Sequence, residues 1–211
     1  MALLRNAGAT EKWRRGAVLL HQGETADRAI LLIDGMVKVV SESVGGYTSL
    51  LAFRGPGELV GELACIDGGV RSASVIALQD GHGTAVAGSR FTALLRAHGD
   101  LGLAVLRSIS TRLRHADDQR EALGALPAAA RVARLLVELA ERYGTAVPSW
   151  APSARSVRIT QQELAGAVGT SRESVVRTLR ELQSVELVAT RRGAIVVLDP
   201  AGLATWQPER T

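Results

Sequence analysis

The stretch that decides the fold is ITQQELAGAVGTSRESVVRTLRELQSVELVATRRGAIVVLD, residues 159–199. Thr160 stands three residues before Glu163, and Thr170 three before Glu173. Each spacing is that of a capping box, in which a hydroxyl and a carboxylate satisfy the backbone N–H groups left over at a helix start. Two helices are therefore predicted. Gly169 separates them and is free to take the positive φ of a tight turn. Ala165 leaves room for close helix approach. Val175, Leu179 and Leu182 recur at helical spacing and give the second helix a buried stripe. Beyond it, residues 187–190 and 195–198 read as two strands joined at Arg191-Arg192-Gly193. The sum is a winged helix-turn-helix.

That stripe leaves Arg172, Glu173, Ser174, Val176 and Arg177 near the start of the second helix. In a helix-turn-helix this end enters the major groove. Arginine can give two donors to guanine O6 and N7, and glutamate can accept from cytosine N4. Arg172, Glu173 and Arg177 are thus the candidate base readers. Thr160, Gln161, Gln162, Thr170, Ser171 and the wing's Arg191 suit phosphate contacts that fix register. The plainer alternative is a charged surface helix, with Glu173 only a cap residue and Arg177 paired to Glu181 four residues on. Two caps, a turn glycine and a basic wing in one segment outweigh it.

Working outward, Leu126-Pro127 marks a hinge, because proline suits a helix start and disfavours helix just before it. A second amphipathic helix follows over about residues 129–142, then a loop over 144–156 containing Pro148 and Pro152. Upstream of the hinge, residues 89–123 have helical spacing. Leu106, Ile109, Leu113, Ala116 and Leu123 alternate by threes and fours, with Arg120 in the remaining slot. This heptad seam favours pairing with a second helix, although a helix packed on its own domain would show a similar stripe.

Residues 13–90 are rich in glycine and broken into short apolar runs at 17–20, 29–33, 36–40, 49–53, 74–78 and 83–87. Turn signals separate the runs, among them Asp34-Gly35, Gly45-Gly46, Gly55-Pro56-Gly57 and Asp80-Gly81. Such spacing predicts a sandwich or barrel. Within it, GELVGELACIDGGVRSASVIAL (57–78) brings Gly61, Glu62 and Leu63 near Arg71 and Ser72 in sequence. An arginine with small residues and free N–H groups suits a phosphate, and Glu62 suits a ribose hydroxyl. By spacing alone this signal is weak.

The bulk numbers bound the remaining classes. The 211 residues are enough for two modest domains, and the net charge of +4 weakly favours an anionic partner. A single cysteine, Cys65, excludes a disulfide framework and an all-cysteine metal site within one chain. The four histidines, His21, His82, His98 and His115, are scattered, so no metal site and no cupin-like enzyme is predicted. No run suits a signal peptide or a membrane span of roughly 20 apolar residues. The expectation is a cytoplasmic protein that is not an enzyme and needs no cofactor.

The chain resembles the Crp/Fnr family of bacterial transcription factors over nearly its whole length. GELACIDGGVRSA resembles the family's cyclic-nucleotide-type barrel. TQQELAGAVGTSRESVVRTLREL resembles its DNA-binding helices and is the most specific part. The resemblance implies an α+β chain with three parts. These are a jelly-roll effector barrel over residues 1–98, a dimerisation helix and hinge over 99–125, and a winged helix-turn-helix over 126–211. It also implies a homodimer on palindromic double-stranded DNA. Arg172, Glu173 and Arg177 match the base readers of the catabolite-activator branch, which implies a TGTGA-like half-site. Val176 stands where the oxygen-regulator branch has serine. Gly61, Glu62, Arg71 and Ser72 match the cyclic AMP contacts, so cyclic AMP or cyclic GMP is the implied effector. On the long helix the chain departs from the pattern. Ala116-Asp117 replaces a Thr-Ser pair that faces the base, leaving Asp117 either to meet a base or to offset Arg114 or Arg120. A degenerate pocket in an effector-independent regulator is the alternative. Family analogy also offers RNA polymerase as a partner of the 144–156 loop.

Overall fold

The structure is a computed structural model and describes residues 2–43, 45 and 48–208. The turn expected at Gly45-Gly46 lies partly outside the described residues. Contacts divide the chain into two compact units, Met1–His115 and Ala116–Thr211.

The first unit opens with one helical turn, α1 (Ala2–Arg5), which buries Leu4 fully. One turn suffices here because a single leucine anchors it. Eight antiparallel strands follow: β1 (Ala9–Trp13), β2 (Val18–Leu20), β3 (Arg28–Asp34), β4 (Val37–Glu42), β5 (Thr48–Arg54), β6 (Leu59–Val60), β7 (Ser74–Ala77) and β8 (Gly81–Ala87). They form two four-stranded sheets, ordered β1-β8-β3-β6 and β2-β7-β4-β5. The jelly roll is thus an open sandwich and not a closed barrel. A short helix, α2 (Glu62–Asp67), lies between β6 and β7, and α3 (Gly88–Ala97) follows β8.

The run AILLI of β3 explains the layering. A strand that faces solvent on one side alternates, whereas one buried on both sides is continuously apolar. Ile30 and Leu32 point into the sandwich with Leu20, Val37, Val60 and Val75. Ala29 and Leu31 point the other way, into a second core with Leu4, Phe91, Leu101 and Val105. Leu101 and Val105 belong to the long helix α4 (Gly99–Ala125). The helical region expected from residue 89 onward is therefore two helices, broken at His98, whose backbone is extended.

In the second unit α5 (Ala128–Tyr143) begins after Pro127, which takes the N-cap position. Val132, Leu135, Leu136 and Leu139 form its buried stripe. The expected 144–156 loop is partly sheet: β9 (Thr145–Ala146) pairs with the start of β10 (Arg155–Val157). Then come α6 (Gln161–Val168), α7 (Arg172–Ser184), β11 (Val188–Arg191), β12 (Ala194–Val197) and α8 (Pro200–Thr205). The sheet order is β11-β12-β10-β9. The wing expected from Arg-Arg-Gly is the β11–β12 hairpin, with Arg191 opposite Ala194 and Gly193 at φ 72°. No helix among the described residues is long and apolar enough to cross a membrane.

Candidate functional site

The helix-turn-helix is set by its caps. Thr160 accepts from the Glu163 N–H at 3.2 Å while the Glu163 carboxylate accepts from the Thr160 N–H at 2.9 Å. Gly169 then turns the chain at φ 64°, a left-handed conformation that suits glycine. The second expected capping box does not form. Helix α7 is capped one residue later, by the Ser171 hydroxyl accepting from the Ser174 N–H at 3.1 Å. The Thr170 N–H is instead used in the turn, donating to the Ala165 carbonyl. Ser171 is as good a cap as threonine, and starting there puts Arg172 and Glu173 in the first turn. The Glu173 carboxyl is held below its ordinary range by hydrogen bonding from the helix N-terminus and from Ser171. It therefore stays an acceptor.

Val175, Leu179 and Leu182 are fully buried or nearly so and fix which face of α7 turns outward. Arg172, Glu173 and Arg177 are exposed on the opposite side, and with Val176 and Arg180 they line one shallow hollow. Arg177 donates to Ser174 Oγ at 3.5 Å. Arg180 was missed in the sequence reading. Its signal was there, three residues after Arg177 and seven after Glu173 on the same face. A second hollow lies between α6 and the wing, lined by Thr160, Gln161, Gln162, Arg172 and Arg191 among others. Thr170 and Ser171 lie at the turn between the two helices. The Arg191 guanidinium stacks over the ring of Trp150, 4.5 Å from its centroid.

In the first unit Gly61, Glu62 and Arg71 come together. Gly61 precedes α2 at φ 77°, and a Cβ there would lie 2.4 Å from Arg71 Nη1, so only glycine fits. The Arg71 side chain is 2% exposed. Its Nη1 donates to the Gly61 carbonyl at 2.7 Å, and its Nη2 donates to Asp27 at 2.9 Å and to the Arg28 carbonyl at 2.5 Å. Glu62 is equally buried and pairs with Arg112 of α4 at 2.6 Å, while Arg112 also donates to the Leu59 carbonyl. Leu63 and Ser72 are exposed beside this cluster. Both Asp27 and Arg112 escaped sequence reading, since each reaches its partner across more than 40 residues. Burial opposes ionisation of Asp27, but hydrogen bonds from Arg28 and Arg71 outweigh it and hold the carboxyl below its ordinary value. Burial pushes the Cys65 thiol up despite the nearby Arg71 charge, so it is no ready nucleophile.

Along α4, Leu106 and Leu113 are 60% and 63% exposed, and Leu123 and Ala116 are exposed too. Ile109 differs from its expected place in the seam. It packs partly against the core around Phe91. Asp117 pairs with Arg120 at 3.4 Å, the surface alternative noted above. Among the described residues no group of three or more His, Cys, Asp or Glu side chains can hold a metal ion.

Comparison with known proteins agrees with both units. Residues 130–206 match the family model of a Crp-like helix-turn-helix domain, and residues 10–98 that of a cyclic nucleotide-binding domain. The chain is 33% identical to the cyclic AMP receptor protein of Thermus thermophilus over 187 residues, covering 89% of this chain and 82% of that one. The chain belongs to the Crp/Fnr family of transcriptional regulators. It is also 27% identical, over 90% of its length, to a CRP-like cAMP-activated global transcriptional regulator of Mycobacterium tuberculosis, 84% of which is covered. A solved Crp/Fnr-family regulator from Thermus thermophilus superposes with a TM-score of 0.75 at 26% identity, over 92% of this chain and 96% of that one. As a family member the chain is a DNA-binding regulator with a cyclic nucleotide-binding domain, and not an enzyme.

Ser171→Ala lowers unfolding free energy by about 1 kcal/mol, whereas Thr170→Ala, which removes no cap, lowers it less; urea titration of each variant checks the order. Asp27 has a lower pKa folded than unfolded, so its contribution to stability is complete above the ordinary value of 3.8 and fades as pH falls below it. Asp27→Asn is therefore less stable at neutral pH and loses less stability than the parent on acidification through that window, as read by unfolding at stepped pH.

Proposed function

We propose that two copies of this regulator pair along α4 and bind a palindromic site with TGTGA-like half-sites, each read by Arg172, Glu173 and Arg177. The observation that carries this reading is the outward, charged start of α7, from Arg172 to Arg177, over a buried Val175–Leu179–Leu182 stripe. Two arginines and an ionised glutamate there supply the donors and acceptor that guanine and cytosine edges need. Thr160, Gln161, Gln162, Thr170, Ser171 and Arg191 would hold phosphates on either side. The exposed leucines Leu106, Leu113 and Leu123 support pairing through α4, as does Ala116, whose small side chain lets a partner helix approach. On this reading residues 1–98 sense, 99–125 pair and transmit, and 126–211 bind DNA, with the 144–156 segment the family's surface for RNA polymerase.

We infer further that the effector is a cyclic nucleotide, its phosphate on Arg71 and Ser72 beside Gly61 and Leu63, its ribose on Glu62. Two relatives are named for cyclic AMP. Because Arg71 already binds Asp27 and Glu62 already binds Arg112, the nucleotide enters by exchanging partners. Asp117, paired to Arg120, leaves cyclic AMP and cyclic GMP both open. The same internal pairing favours a second reading, in which a self-satisfied pocket needs no ligand and DNA binding is constitutive.

Calorimetry with each nucleotide, alongside affinity for a TGTGA palindrome, separates the two. Micromolar binding that tightens DNA affinity supports the switch; no binding with DNA affinity already tight supports the constitutive regulator. On the same palindrome, Arg172→Ala or Arg177→Ala costs about 1–3 kcal/mol and relaxes specificity at one base position. A loss equal on every sequence would mean phosphate contact alone.

A further inference from the structure

Trp150 is a large aromatic residue, 40% exposed, on a loop that family analogy leaves without a defined role on the DNA side. The loop is built as a fixed platform. The Val147 N–H donates to the Ala154 carbonyl across the base of the loop, and within it the Trp150 N–H donates to Val147 and the Ala154 N–H to Ala151, each closing a turn. Pro148 and Pro152 restrict φ within it. Ser153 Oγ donates to the Leu198 carbonyl at 3.0 Å, which ties the platform to the end of the wing's second strand. The indole is thereby held against Arg191, the last residue of β11, with the guanidinium 4.5 Å from the ring centroid.

An arginine stacked on an aromatic face is fixed in its plane while all its N–H groups stay at the edge, free to bond. The Arg191 side chain makes no hydrogen bond or ion pair among the described residues. It borders the hollow that Thr160, Gln161, Gln162 and Arg172 also line. A guanidinium that is immobilised, unpaired and beside other donors is organised for an oxyanion.

We propose that Trp150 is a positioning residue for DNA binding: its ring holds Arg191 in advance as a clamp for a backbone phosphate. The proposal rests on the reading of Arg191 as a phosphate contact. Without the ring, Arg191 keeps its charge and its reach but must be ordered on each encounter, so the loss is one of affinity and not of sequence preference.

The test measures affinity of the full chain for a mixed-sequence duplex across a range of NaCl. The variants are Trp150→Ala, Trp150→Phe, Trp150→Leu, Arg191→Ala and the Trp150→Ala/Arg191→Ala double variant. Arg191→Ala should weaken binding and reduce the salt slope by about one per wing. Trp150→Ala should weaken binding about two- to fivefold, Trp150→Phe should restore most of that, and Trp150→Ala should cost nothing further once Arg191 is gone. Trp150→Leu keeps apolar bulk and lacks the ring face, so it reads the stack even if the alanine variant fails to fold. An unchanged salt slope in Arg191→Ala overturns the phosphate reading and the clamp with it. A lowered slope in Arg191→Ala, with Trp150 variants that bind normally or lose the same factor in both backgrounds, overturns the clamp alone.

Discussion

A guanidinium that is 2% exposed must be matched by acceptors, and the packing around Arg71 in the first unit is organised around that demand. Its three partners come from two stretches: the Gly61 carbonyl ahead of α2, and the Asp27 carboxylate and Arg28 carbonyl where β3 begins. One side chain thus pins the ends of otherwise separate connections. Gly61 has to be glycine because Arg71 lies where a Cβ would be. Glu62 follows directly, is buried for the same reason, and meets its own cation in Arg112. The cluster is therefore neutralised pair by pair, which is how buried charges persist.

The DNA side of the molecule is organised the opposite way. Apolar burial fixes the frame and the charges are left open. Val175, Leu179 and Leu182 orient α7, Thr160 and Ser171 start the two helices, and Arg172, Glu173, Arg177 and Arg180 face outward as a consequence. Shifting the cap from Thr170 to Ser171 moves no side chain to another face, but it decides which hydroxyl is spent on the helix. The Ser171 oxygen accepts from the Ser174 N–H, whereas the Thr170 hydroxyl caps neither helix.

Much of this was legible in the residues, and the failures have physical causes. The strands with apolar runs were visible because sandwich cores need them. Strand β1, ATEKW, was not, because it is an edge strand that buries only Trp13. Strand β6 has two residues and no pattern to show. The helix-turn-helix was legible because caps, turn glycine and stripe are all local. Its one error, the second cap, arose where two competent hydroxyls stand side by side. Of the buried cluster in the first unit, Gly61, Glu62 and Arg71 could be named. Their actual partners, Asp27 and Arg112, depend on folding and on no local spacing. The Trp150–Arg191 stack is non-local in the same way.

The enclosure of Arg71 gives the chain two arginine sites with opposite relations to the surrounding electrolyte. The Arg71 charge already has a carboxylate in place, so small ions in bulk solution have little to displace. Arginines on the face of α7 meet solvent directly, and their attraction for a polyanion is set by the mobile ions both sides must give up. Raising the salt concentration screens the open arginines of α7 far more than the enclosed guanidinium of Arg71. The same residue type serves as a buffered contact in one unit and as an ionic-strength gauge in the other.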